Sequence, residues 1–116
     1  YAWLGVEGFA VGTVVAEALG LDRDTRGAFI SSVVEGGPAE KAGLRGSSGE
    51  TEIEGSIIPI GGDIIVGING REISGVDDVV SYLINEGEPG ETHIFTVIRD
   101  KELMDVSVTL GTRPSR

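Results

Sequence analysis

Apolar and polar positions change rhythm several times along this chain, and each rhythm predicts an element. Residues 3–11 read as a strand interrupted at Gly5 and Gly8, since side chains of an extended backbone alternate between two faces. Residues 13–19 (TVVAEAL) repeat at helical spacing, with Thr13 expected as N-cap and Gly20 as C-cap. A charged loop, 21–26, leads into a β-like stretch at 28–34 (AFISSVV), which Glu35-Gly36-Gly37 ends. Pro38 at a first helical position and Gly43 beyond the last bracket a helix of barely one turn.

The middle of the chain is punctuated by turns. Residues 45–55 (RGSSGETEIEG) are polar and glycine-rich and are expected to be mobile. Two short apolar strands follow at 57–60 and 63–68, split by Gly61-Gly62, and Asn69-Gly70 is the strongest local hairpin signal. Residues 77–86 return to helical spacing, with Asp77 and Asp78 placed against the N-terminal dipole. Strands at 93–99 and 103–110 pair across Asp100-Lys101-Glu102. In the last strand Leu103, Asp105, Ser107 and Thr109 define a mostly wet face. The expected fold is mainly β with helices (α+β): five to six strands, two main helices and a one-turn helix. Residues 1–110 form one domain in this reading, and 111–116 form a linker or frayed tail.

Composition narrows the chemistry. The chain has 116 residues, a hydrophobic share of 40% and a formal charge of −10. That suits one folded domain, and a surface of that sign repels phosphate backbones, so nucleic acid is not an expected partner. Lys and Arg are scattered, and no apolar run reaches the ~18 residues a membrane span needs, so no direct membrane insertion is expected. There is no cysteine, which excludes disulfides and thiolate metal sites.

Catalytic sets are incomplete. Gly46-Ser47-Ser48-Gly49 is not a nucleophile elbow, and the one histidine, His93, alternates with Phe95 and Val97 as a half-buried structural residue would. Asp22-x-Asp24-x-x-Gly27 echoes a calcium loop, but Arg26 and Val33 stand where ligands belong. Glu50, Glu52 and Glu54 alternate as an exposed acidic face. No catalytic residue, metal or cofactor is expected.

What remains is a binding slot. Trp3-Leu4-Gly5-Val6 reads as a loop with open N–H groups leading into a strand, and the stretch from Val76 to Ile84 as a helix with an apolar face. Spacing alone leaves Leu4, Val6, Val80 and Leu83 open to two readings, core or groove. Trp3 is open to two readings as well, a packing anchor or a surface residue touching an upstream domain, with packing favoured.

The ordered set WLGVEG, AEALGL, GAFISSVVEGGPAEKAGL, GGDIIVGINGREI and DVVSYL resembles the PDZ domains of HtrA (Deg-type) serine proteases across nearly the whole chain. The resemblance implies a β-sandwich or partly open barrel, circularly permuted relative to typical animal PDZ domains, with residues 103–110 completing the sheet. It implies recognition of C-terminal peptide segments of unfolded or partner proteins, in service of a protease domain of the same parent chain, outside the cytoplasm or at its membrane. Carried onto this sequence, Leu4, Gly5 and Val6 would hold the peptide carboxylate. Glu7, Gly8, Phe9, Val76, Val80, Leu83 and Ile84 would form the strand and pockets. Val76 and a bare Gly8 suggest a large apolar side chain two residues in from the ligand's end. Two departures stand out: residues 45–60 are longer than the family's usual connection, and Ala2 replaces a frequent proline with no basic residue before the loop. A domain that joins protomers without binding free peptide is the alternative.

Overall fold

The computed structural model describes residues 2–112, and the apolar run DIIVGI lies at its centre. In chain order the elements are β1 (Ala2–Trp3), β2 (Val6–Ala10), α1 (Thr13–Ala18), β3 (Ala28–Val33), α2 (Pro38–Ala42), β4 (Gly49–Ile53), β5 (Ser56–Ile60), β6 (Ile64–Ile68), β7 (Arg71–Glu72), α3 (Val76–Glu86), β8 (Thr92–Arg99), β9 (Glu102–Thr109) and β10 (Gly111–Thr112). The main sheet runs β2-β3-β6-β8-β9, with β7 also pairing β6, and every pairing is antiparallel. The sheets stay open rather than closing into a barrel.

β6 is central because both of its faces are apolar and both are covered. Ile65 and Ile68 join Leu4, Ile30, Phe95, Val97, Val79 and Leu83 in the larger core beneath α3. Ile64 turns the other way, to Phe29, Val11 and Ala16 beneath α1. Phe29 and Ile30 on β3 divide between the two cores in the same manner. β9 closes one side of the sheet, with Val106 and Val108 inward and Leu103, Asp105, Ser107 and Thr109 exposed, as its alternation predicts, although Met104 on the inward-facing series is exposed as well.

Three expectations change. Residues 49–60 are a β-hairpin, β4 paired with β5 from Gly49↔Ile60 to Ile53↔Ser56, where the sequence suggested a mobile loop for the first half. The turn is Glu54-Gly55, with φ of 49° and 84°, and positive φ at both central residues is what a two-residue hairpin of right-handed strands requires. Thr51 and Ile53 alternate with exposed Glu50 and Glu52, and Ile58 opposite Thr51 is buried, so the ribbon has an inner face. At α1, Gly12 rather than Thr13 is the N-cap, and Leu19 rather than Gly20 the C-cap. Thr13 is the first helical residue, and its hydroxyl accepts from Arg26 Nη2 at 3.4 Å. Finally, Gly111 and Thr112, expected in the tail, pair with Trp3 and Ala2, so a short two-stranded ribbon is added to the main sheet of six strands. Tyr1 and residues 113–116 lie outside the described residues.

Candidate functional site

A cavity of about 420 Å³ opens between the start of β2 and α3, within the size range of ligand pockets. Of the residues singled out in the sequence, Leu4, Gly5, Val6, Glu7, Gly8, Val76, Val80 and Leu83 all line it. Phe9 and Ile84 do not. Phe9 stacks on Phe29 at 5.0 Å on the side of the smaller core, and Ile84 is solvent-exposed. The helical spacing that set Val76, Val80 and Leu83 on one stripe holds, but Val79, buried at the cavity floor, was missed. So were Ile30 and Ile65, whose contribution depends on strand pairing rather than on anything local.

The mouth is made by main chain. Gly5 has φ +83°, the left-handed region that glycine enters at no steric cost. The N–H groups of Leu4 and Gly5 have no backbone partner among the described residues. Val6 follows by register: it lies opposite Val33, and the Val34 N–H donates to the Gly5 carbonyl at 2.8 Å. Bonds from the flanking residues mark Val6↔Val33 as a non-hydrogen-bonded pair, so the Val6 N–H and C=O face the open edge of β2. Gly8 behaves alike, for its partner Ile30 directs its own N–H to the Asp63 carbonyl at 2.9 Å. Glu7 between them turns its carbonyl toward β3, where the Ser31 hydroxyl donates to it at 3.0 Å.

Glycine at position 8 serves the backbone. The register slips between Glu7 and Gly8, leaving Ser31 unpaired, and a Cβ on Gly8 would collide with the Phe29 carbonyl oxygen. The space that a missing side chain leaves there is on the β3 side. It does not enlarge the groove, which corrects the sequence-based reason for expecting a bulky ligand side chain opposite it. Trp3 is partly buried, and its ring edge lies near both Gly5 and Gly37, holding the loop from behind.

Polar groups elsewhere are tied into the fold. His93 is 6% exposed, more buried than its strand position suggested. Its Nδ1 lies 2.7 Å from the Tyr82 hydroxyl and 3.0 Å from Asn69 Nδ2, while Nε2 lies 3.1 Å from Glu91 Oε1. Those contacts hold the imidazole within the fold. Burial pushes the Tyr82 phenol above its ordinary value, against the lowering effect of the Asn69 hydrogen bond. The Ser47 hydroxyl is within reach of the Gly49 and Ile60 carbonyls at 2.9 and 3.0 Å and holds the hairpin base. No acidic or histidine cluster suited to a metal occurs among the described residues.

The PDZ domain sequence profile matches residues 11–110. A protein of Marinomonas sp. (strain MWYL1), named probable periplasmic serine endoprotease DegP-like, is 37% identical over 98% of this chain and 21% of its own length. The chain thus spans about a fifth of the length of the curated relatives it matches. Among solved structures, the HtrA-type protease AlgW with decapeptide superposes with a TM-score of 0.73 at 28% identity, covering 99% of this chain and 30% of that one. The HtrA3 PDZ domain bound to a phage-derived ligand (FGRWV) shares the fold, with a TM-score of 0.68 at 15% identity over 95% of this chain and 85% of that one.

Proposed function

The chain belongs to the PDZ domain family, and from that membership we propose that it recognises hydrophobic C-termini of other polypeptides by strand addition along β2. The observation that carries the reading is the conjunction at one cavity of N–H groups at Leu4 and Gly5 that have no backbone partner among the described residues, outward-facing main chain at Val6 and Gly8, and an apolar wall of Val76, Val80 and Leu83. Short-range N–H donors are suited to a carboxylate, which they must hold against a diffuse negative field screened over ~8 Å in physiological salt. Main-chain bonds along β2 supply affinity without regard to sequence, and the pocket supplies the preference. Burial of one Val- or Leu-sized terminal side chain contributes roughly 1.5–3 kcal/mol.

The relatives are named as periplasmic endoproteases and are about five times longer. On that basis the domain serves an HtrA-like serine protease, delivering or sensing substrate ends outside the cytoplasm. In isothermal titration, a peptide ending apolar-X-apolar with a free carboxylate should bind with a Kd near micromolar, about −8 kcal/mol. Amidating its C-terminus should weaken binding at least about tenfold, since each charge-assisted bond is worth roughly 1.5–3 kcal/mol. Val80→Asp, at a position 44% exposed and so tolerant in the fold, should abolish binding. Equal affinity for acid and amide would exclude the carboxylate site, and no binding by either would favour an architectural role.

A further inference from the structure

Among the described residues, Glu7 is the one charged residue whose position on β2 borders the cavity. Its side chain is solvent-exposed, forms no ion pair among the described residues, and is engaged only by the Ser32 hydroxyl at a long 3.4 Å. Ser32 is also its cross-strand partner, so both side chains stand on the same face of the sheet. Val6, one residue earlier, packs against the larger core beneath α3. Glu7 therefore projects from the opposite face of β2, away from the apolar slot but beside its open edge.

The hydrogen-bonding phase of β2 converts this position into a ligand register. A strand added with its carboxylate at Leu4 to Val6 runs antiparallel to β2 and bonds where the main chain faces out, at Val6 and Gly8. Its last residue then lies opposite Val6, the next-to-last opposite Glu7 and the one before opposite Gly8. Residues directly opposite in antiparallel strands share a face, with Cβ atoms about 4.5–5.5 Å apart. The penultimate side chain of the ligand thus meets the Glu7 carboxylate on the face away from the slot.

We propose that Glu7 makes this groove select Lys or Arg, and reject Asp or Glu, at the penultimate position of the bound chain end. The inference rests on the strand-addition reading above and adds to it a charge preference that the apolar pocket cannot supply. The pair is exposed, so its effect is modest: a swing of about fivefold in Kd between Lys and Glu peptides, from attraction in one and repulsion in the other. The chain's formal charge of −10 favours any cationic peptide, so position must be separated from net charge.

The test uses ten-residue peptides ending Val-Lys-Val, Val-Gln-Val and Val-Glu-Val, plus a set with the Lys or Glu moved six residues upstream of a Val-Gln-Val end. Titrations would be run as free acids and as amides. The expected result is a Lys-over-Glu ratio of about five at the penultimate position and near one upstream, where screening removes most of the difference. Glu7→Gln should collapse the penultimate ratio to about one, whereas Glu102→Gln, which removes the same charge on the far edge strand β9, should leave it standing. Carboxylate-dependent binding with equal ratios at both positions, or a ratio that survives Glu7→Gln, overturns the charge preference and leaves the peptide site intact. Loss of any difference between acid and amide peptides overturns both.

Discussion

Asp63 is fully buried, yet it is charged and satisfied at every oxygen. Its Oδ1 accepts from Arg99 Nε at 2.8 Å and its Oδ2 from Arg99 Nη2 at 2.6 Å and the Arg45 N–H at 3.0 Å. Arg99 Nη2 also donates to the Gly43 carbonyl at 2.8 Å, so one forked pair ties the end of α2 and the start of β6 to the end of β8. The hydrogen bonds that it donates to Asp63 hold the Arg99 guanidinium above its ordinary range. Because that folded value is raised, the guanidinium's contribution is complete throughout the neutral range and is lost as pH rises through it in strong alkali. Breaking a buried pair leaves one charge unmatched. Asp63→Ala should cost about 3–5 kcal/mol in urea unfolding, as removal of one partner of a buried pair does. Asp63 sits 36 residues from Arg99, and nothing local in the sequence marks the two as partners. Tyr82 makes a second residue-scale prediction. Its phenol holds its proton more tightly folded than unfolded, so stability is intact below the ordinary value of 10.0 and falls as pH rises above it. Urea midpoints from pH 8 to 11 should drop more steeply for the native chain than for Tyr82→Phe, which lacks the titrating group.

At the scale of elements, turn chemistry explains both success and failure of prediction. Three two-residue turns place both central residues at positive φ: Asn69-Gly70, Asp100-Lys101 and Glu54-Gly55. Asn-Gly announces itself because asparagine and glycine tolerate that region. The β8–β9 pair was legible from its flanking apolar alternation, although Arg99 pairs with Glu102, so Glu102 belongs to the strand and the turn is tighter than expected. Glu54-Gly55 was passed over, since glutamate seldom adopts positive φ and its strands carry alternating glutamates instead of continuous apolar residues. An L-residue held there costs about 1–2 kcal/mol. Glu54→Asn should therefore stabilise the domain by about 0.5–1 kcal/mol, read as a higher Tm in calorimetry. An unchanged or lower Tm would mean that the Glu54 side chain contributes to the hairpin in its own right.

Across the whole molecule, the cavity exists because the sheet is covered unequally. α1 closes one face over Phe29 and Ile64, while α3 leans on the other over Ile30 and Ile65 and leaves the edge of β2 open beside it. The sequence alone determined the apolar runs, the helical stripe of Val76, Val80 and Leu83, the glycine at position 5 and the ordered motifs that mark the PDZ family, because these depend on residue type and short-range spacing. Tertiary structure decided which N–H groups face outward at Val6 and Gly8, that Ala2 and Trp3 pair with Thr112 and Gly111, that Gly8 yields to the Phe29 carbonyl, and that Phe9 and Ile84 stand outside the cavity. The physical reason is that strand register and hydrogen-bond phase are set by partners distant in sequence, and a shift of one residue turns every side chain and every N–H to the opposite side.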